Sequence, residues 1–443
     1  MKSAMETIFF CARNFKDYLK INRANRAKIQ ATEIKMRDVL IDEKAQNFLY
    51  DHMKFYDDRE TGCEAPVLGR TEIIGLNLDF NFGLRLEVPR GNFHVRIGDF
   101  DSGTTFLDED LSNVRLISVE KQFIRWQVEV FYDGEEIFSH VLDLEGQPVM
   151  IVARLNGLGD VISLLPYFRE FRRRHGCNLT VLLPKFIREF AANLYPDIPQ
   201  ADAINFKNYA NYFPVMPIGD YPKVPADIRN EPMERIHGTI LGLETLPPAP
   251  TFRPTAQRLF PEPYVCIGVQ ASTPVKGWHY PNGWKIIVDY LKRLGYRVFC
   301  IDKKKVQREG NYSTVMPENA EDFTGNFSIM ERANMLYHAE FFIGLGSGLS
   351  WVANAVGCPV VMICGFSQDW FEFHTPYRVV NRLTCTGCLN DVRVDFIGKR
   401  CPYHKGTDRE LECQKKISPR AVIDAINRLI EDKDLAPPLL TEN

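Results

Sequence analysis

The chain has 443 residues, 45% of them hydrophobic and 25% charged, with a formal net charge of −3. That length implies more than one domain, and the apolar share is enough for real cores. A near-neutral balance without long runs of one sign gives no electrostatic footprint for nucleic acid. The opening I-F-F-C-A is too short for the apolar region of a secretory signal, and the eleven cysteines suit a reducing compartment, so a cytoplasmic location is expected.

Residues 1–65 read as amphipathic helices of mixed surface charge, an N-terminal extension. Residues 66–148 change character. Alternating segments (T-E-I-I-G-L-N-L-D-F, G-L-R-L-E-V, N-F-H-V-R-I, R-W-Q-V-E-V-F-Y) separated by P-R-G, D-S-G and D-G-E-E turns predict an antiparallel sheet curled into a small barrel or sandwich.

Near residue 149 the period changes again. P-V-M-I-V-A-R-L is a buried strand, V-I-S-L-L-P-Y-F-R-E-F-R-R-R-H a helix, and N-L-T-V-L-L-P the next strand: a βαβ unit opening an α/β domain over 149–255. Between its first strand and helix lies R-L-N-G-L-G-D. Gly157 and Gly159 permit a tight turn, and Asp160 then stands at the start of the helix, at the carboxyl edge of a parallel sheet where ligands bind. A dinucleotide fingerprint fits badly, because its third glycine is Ile162 and the next strand ends L-L-P-K without an acid for a ribose. A carboxylate there suits a general base that takes a proton from an attacking hydroxyl; the plainer alternative is a helix cap.

The Pro-rich L-P-P-A-P-T-F-R-P (246–254) reads as a linker to a second α/β domain over 256–430, with a tail at 431–443. After the strand P-Y-V-C-I-G-V-Q comes V-Q-A-S-T-P-V-K-G-W. Ser272, Thr273 and Lys276 offer the hydroxyls and the cation that a departing diphosphate needs, unless Lys276 is simply a solvated surface lysine. Asp302, ending Y-R-V-F-C-I-D, is placed to bond a ribose. Thr324 and Gly325 of E-D-F-T-G are placed to touch the nucleoside, and turn chemistry explains each equally well. Residues 341–366 carry no charge, but five glycines, a proline and an asparagine break them, so strand, turn, helix and strand fit better than a membrane span. Within them Gly346, Ser347, Gly348 and Leu349 form a Gly-rich turn opening a helix, an anion site in outline.

Last come Cys385, Cys388, Cys401 and Cys413, spaced C-x2-C-x12-C-x11-C. Four thiolates saturate one tetrahedral ion and fix a loop too small for its own core; zinc and iron both suit them, and unrelated thiols or two disulfides are the plainer alternative. The finger spans 382–416 and is expected to be structural, with His404 either a substitute ligand or a surface residue.

The G-L-G-D turn, the loop ending at Lys276-Gly277-Trp278, D-F-T-G and G-S-G-L-S resemble the donor site of the ADP-heptose transferases of lipopolysaccharide synthesis. Those enzymes have neither the β-rich region nor the cysteine finger. Both features, together with Y-R-V-F-C-I-D, A-E-D-F-T-G, F-F-I-G-L-G-S-G-L-S-W and C-P-Y-H-K-G-T-D-R-E-L-E-C, are similar to the bacterial autotransporter heptosyltransferases over roughly residues 80–430. The resemblance implies a GT-B-like α/β fold, two Rossmann-type domains facing a cleft. It implies inverting transfer of heptose from ADP-glycero-manno-heptose to serines of an autotransporter adhesin passenger. It also implies iron rather than zinc in the finger, and a homo-oligomer (a dodecamer in that family). Asp160 falls at the catalytic base, Lys276 at the diphosphate contact, and Ser347, Gly348 and Leu349 at the phosphate turn. The lipopolysaccharide enzymes carry an aspartate and a histidine where this chain has Gly346 and Trp351, so their acceptor contacts do not transfer. Another nucleotide-sugar transferase on the same scaffold, or a non-catalytic metal-clasped assembly protein, are the alternative readings.

Overall fold

The computed structural model describes residues 67–440 apart from 154, 156, 218–223, 245–246, 249, 310–311 and 395–399, so the helical extension expected over 1–65 lies outside the described residues.

The β-rich region contributes seven strands: β1 (Asn77–Asn81), β2 (Arg85–Val88), β3 (Phe93–Asp99), β4 (Thr104–Leu111), β5 (Val114–Ile117), β6 (Trp126–Tyr132) and β7 (Glu135–Val141). They divide between two sheets. β4-β3-β6-β7 is a four-stranded antiparallel sheet with open edges, whereas β5, β2 and β1 extend the sheet of the first α/β lobe, where β1 pairs in parallel with β10 (Ala210–Tyr212). The barrel or sandwich expected for 66–148 is thus replaced by an open sheet plus an extension of the neighbouring lobe. Alternation along each strand explains why both parts share one core. Leu84, Leu86 and Val88 point into it from β2 and its approach, as do Val95 and Ile97 from β3 and Val128 and Val130 from β6.

The first lobe adds β8 (Pro148–Val152) and β9 (Asn178–Leu182), both parallel to β10, giving the order β5-β2-β1-β10-β8-β9. Its helices are α1 (Leu158–Leu164), α2 (Tyr167–His175), α3 (Arg188–Leu194) and α4 (Met233–Leu241). The single helix expected from Val161 to His175 is two. Pro166, which lacks an N–H and crowds the preceding turn, ends the first and stands as the N-cap of the second.

The second lobe is fully parallel, ordered β15-β12-β11-β16-β17-β18. Its strands are β11 (Tyr264–Ile267), β12 (Arg297–Cys300), β15 (Glu321–Asp322), β16 (Phe342–Leu345), β17 (Val360–Ile363) and β18 (Arg378–Val379), with the hairpin β13 (Val306–Glu309) and β14 (Tyr312–Val315) beside them. Its helices are α5 (Gly283–Arg293), α6 (Ile329–Tyr337), α7 (Gly348–Ala355), α8 (Glu412–Lys415) and α9 (Pro419–Asp432). A Ser328–Glu331 capping box starts α6, and Ser418 with Pro419 starts α9.

Strand order locates the site. In the first sheet the chain passes from β8 to β9 on one side and to β10 on the other. In the second it runs β11, β12, β15 one way and β16, β17, β18 the other. Each reversal opens a crevice at the carboxyl ends of the strands. The loop after β8, leading into the first turn of α1 with Asp160, lies at the first; the loops after β11 and β16, carrying Lys276 and Ser347, lie at the second.

Candidate active site

Gly157 is the N-cap of α1 and supplies no side-chain cap. The Asp160 carboxylate takes that place, turning back to accept the Gly157 N–H. A Cβ on Gly157 would lie 2.3 Å from Asp160 Oδ2, so any other residue there would push the carboxylate out of this position. Burial lifts the Asp160 carboxyl above its ordinary range, while the Lys276 ammonium and the Gly157 hydrogen bond pull it back. Lys276 belongs to the other lobe, and its electrostatic reach to Asp160 brings the two sides of the cleft into one site.

The lobes touch at two glycines. A Cβ on Gly159 would sit 2.6 Å from Trp351 Cδ1, and one on Gly348 would sit 2.8 Å from Leu158 Cβ. The starts of α1 and α7 are therefore packed backbone-close, which is what the paired Gly-rich turns accomplish.

In the second lobe Lys276 ends a short 3₁₀ turn (Pro274–Lys276), its N–H donating to the Thr273 carbonyl at 3.2 Å. Its Nζ lies 5.2 Å from the Phe366 ring centroid. Ser272 is exposed, and the buried Thr273 hydroxyl has no partner among the described residues. Ser347 caps α7 with an extended backbone (φ −143°, ψ 172°) and no side-chain hydrogen bond, leaving the first helical N–H groups of Gly348 and Leu349 without a side-chain cap. Gly346 is buried beneath this turn.

Asp302 departs from expectation. It is 2% exposed and its two carboxylate oxygens accept the amides of Val269 (2.8 Å) and Gln270 (3.2 Å), so it pins the loop after β11 instead of facing a ribose. Burial pushes its carboxyl up to about 6. Behind D-F-T-G, Arg332 donates to the carbonyls of Phe323 (2.6 Å), Asp302 (3.1 Å) and Gly325 (3.2 Å). Thr324 donates both N–H and hydroxyl to Asp322 (3.0 and 2.7 Å), and Gly325 takes φ +148°, a value that favours glycine. This loop is joined to the Lys276 loop through Asp302.

Two features escape sequence reasoning. Beneath Gly346 lies a buried polar knot. Glu372 accepts from Ser367 Oγ at 2.8 Å and from Arg378 Nη1 at 2.9 Å, and its Oε1 lies 2.8 Å from where a Gly346 Cβ would stand. No periodicity ties these residues to the Gly-rich turn. The other is His237 on α4, fully buried, whose Nε2 is 3.0 Å from the Asp160 carbonyl oxygen. No local pattern ties it to Asp160.

The cysteine segment docks against the same loops. Leu389 N–H donates to the Phe366 carbonyl (2.9 Å), Gln414 Nε2 to the Val275 carbonyl (3.0 Å) and Trp278 Nε1 to the Ile417 carbonyl (2.9 Å). Asn390 Nδ2 reaches the first lobe at the Ile228 carbonyl (2.7 Å). All four cysteines are free thiols. Burial raises Cys388 to about 12, and the nearby Cys401 and Cys385 add to the rise. Cys385, His404 and Glu412 hold their ligand atoms within 4.8 Å of one another, so of the two readings of His404 its position beside Cys385 suits the ligand one. Among the described residues, no helix is long and apolar enough to cross a membrane.

Two α/β lobes meeting at their switch points, with a carboxylate on one side and a cation and open helix start on the other, define a GT-B-like glycosyltransferase. Residues 74–134 match the family described as glycosyltransferase TibC, N-terminal domain, and residues 244–387 match glycosyltransferase family 9 (heptosyltransferase). The autotransporter heptosyltransferase BAHTCr of Citrobacter rodentium is 39% identical over 361 residues, 79% of this chain and 88% of the relative. The crystal structures of TibC from enterotoxigenic E. coli superpose at TM-score 0.79 with 36% identity, covering 83% of this chain and 98% of TibC; they are described as iron-containing and dodecameric, one of them in complex with ADP-D-β-D-heptose. BimC of Burkholderia thailandensis, described as an inactive autotransporter heptosyltransferase, is 32% identical over 377 residues, 83% of this chain and 88% of BimC. The chain belongs to the autotransporter heptosyltransferase family of glycosyltransferases.

Proposed function

We propose that this chain moves heptose from ADP-glycero-manno-heptose to serine hydroxyls of an autotransporter adhesin passenger, with inversion and with Asp160 as general base. The supporting observation is that the helix start bearing Asp160 packs backbone-close, at Gly159 and Gly348, against the lobe that carries Lys276, near enough for the ammonium to lower the Asp160 carboxyl. The serine oxygen attacks the anomeric carbon and passes its proton to the Asp160 carboxylate. The bond from that carbon to the diphosphate oxygen breaks, and ADP leaves with the electron pair. Lys276 and the uncapped amides after Ser347 face the growing negative charge on the leaving group, where a fixed cation and oriented N–H groups act most strongly in the transition state. Gly159, Ser272, Thr324, Gly325 and Gly346 shape the donor pocket. Asp302 acts through the loop it holds.

The cysteine segment fits a metal by its donor chemistry. Buried thiols that disfavour one another's ionisation are stabilised as thiolates by a bound cation. Cys385, Cys388, Cys401 and Cys413, with His404 and Glu412 alongside, would hold it, and the likeness to TibC favours iron over zinc. A cation with four thiolates supplies a cross-link and no open position for substrate. By the same likeness the chain assembles as a homo-oligomer, a dodecamer, and in this reading it works in the bacterial cytoplasm, on the passenger before export.

The test is intact-mass analysis of a passenger co-expressed with this chain. The expected result is addition of one or more heptose units, absent with Asp160→Asn. An unmodified passenger would leave BimC as the better guide to this chain, and increments of another sugar would change the donor.

A further inference from the structure

We infer that His237 is a positioning residue for Asp160: it holds the base by its main chain without engaging the carboxylate that takes the proton. The inference rests on the reading of Asp160 as the base.

α1 has seven residues and no side-chain cap other than Asp160 itself. Such a helix is marginal alone and takes its position from its neighbours. At the base, those neighbours converge on one carbonyl. The Asp160 oxygen receives Ser163 Oγ at 3.0 Å from within α1, and His237 Nε2 at 3.0 Å from α4. A carbonyl only accepts, so Nε2 carries the proton and the tautomer is fixed. His237 Nδ1 is then a bare acceptor, buried and without a partner among the described residues. Leaving that nitrogen unpaired costs about 1–3 kcal/mol, a penalty that a leucine or phenylalanine at the same place would not carry. An apolar core has no use for such a group, so the hydrogen bond to Asp160 is the feature that accounts for it.

The supporting helix is itself locked to both lobes. Met233, at the start of α4, donates its N–H to the Phe371 carbonyl of the second lobe at 2.9 Å. Gly238, next to His237, has Tyr167 Cε1 2.9 Å from the place of its missing Cβ, so α4 lies tight on α2. A contact to the donor lobe is thereby carried through α4 to the main chain of the base. A neutral imidazole also suits the position. A lysine or arginine could make the same hydrogen bond, but its charge would weaken the basicity of the carboxylate beside it.

The test compares His237→Phe, which keeps the ring volume without the donor, His237→Gln, which retains an N–H, and Asp160→Asn, all as full-length metal-loaded enzyme. With His237→Phe, kcat is expected to fall about tenfold or more, the scale on which misplaced catalytic groups act. The donor KM and the Kd for ADP should stay within about twofold, and His237→Gln should recover most of the loss. Wild-type kcat in His237→Phe would overturn the inference. So would a parallel loss of kcat, ADP affinity and thermal stability in both His237 variants, which marks a packing role. Wild-type turnover by Asp160→Asn would remove the base itself, and the inference with it, an outcome separable from the other two.

Discussion

Asp160 is pulled two ways. Burial raises its carboxyl, and the Lys276 cation lowers it. A base works ionised, so on the acid side the rate climbs as pH rises through its pKa. Removing the cation takes away the lowering influence. Lys276→Met is therefore expected to shift the acid limb of the kcat/KM profile to higher pH while weakening donor binding; an unmoved limb would mean that the two charges do not communicate. Gly159 makes a steric prediction. Any side chain there meets Trp351, so Gly159→Val is expected to cost about 1–3 kcal/mol by overpacking and to part the two helix starts. Thermal melting together with transfer assays checks both effects. Asp160 and Lys276 were legible because each sits in a turn whose glycines or strand context announce it. His237 and Glu372 were not, since each reaches its partner only through tertiary packing. Asp302 was legible as a strand end, but the direction of its side chain is set by the amides of Val269 and Gln270, which a sequence does not orient.

Among elements, the cysteine segment has the widest reach. It grips the carbonyls of Phe366 and Val275, and between those two points stands Lys276, its ammonium over the Phe366 ring. Stripping the metal with a chelator, or Cys388→Ser, is expected to lower the melting temperature and to raise the donor KM before it touches proton transfer, because the loop that carries the cation loses its anchor. Calorimetry with ADP on metal-free protein measures this, and unchanged ADP affinity would show the segment to be energetically separate. The cysteine spacing was readable and His404 was a possible ligand beside it, but the approach of Glu412 to Cys385 was not readable, because the turns between them carry no periodic signal. The strands of 66–148 were likewise readable from alternation. Their division between two sheets was hidden, since β1 finds β10 at Phe80 and Ala210, a pairing no local pattern encodes.

At the scale of the molecule, two chain reversals set the site. Each sheet turns back on itself beside the loop that carries the chemistry, and the lobes are joined by glycines that admit no side chain. The βαβ rhythm made the α/β class legible, and the positions of the Gly-rich turns outlined the cleft. The facing of one crevice by the other depends on packing at α1 and α7, which only the folded chain displays. Family membership leaves activity to be measured, since BimC shares it. The most direct measurement is single-turnover transfer by purified Asp160→Asn saturated with ADP-heptose, alongside its affinity for ADP. Wild-type ADP affinity with transfer slowed by about 10²–10⁴, the range a general base contributes, is the expected result. Transfer at the wild-type rate by that variant would contradict the account.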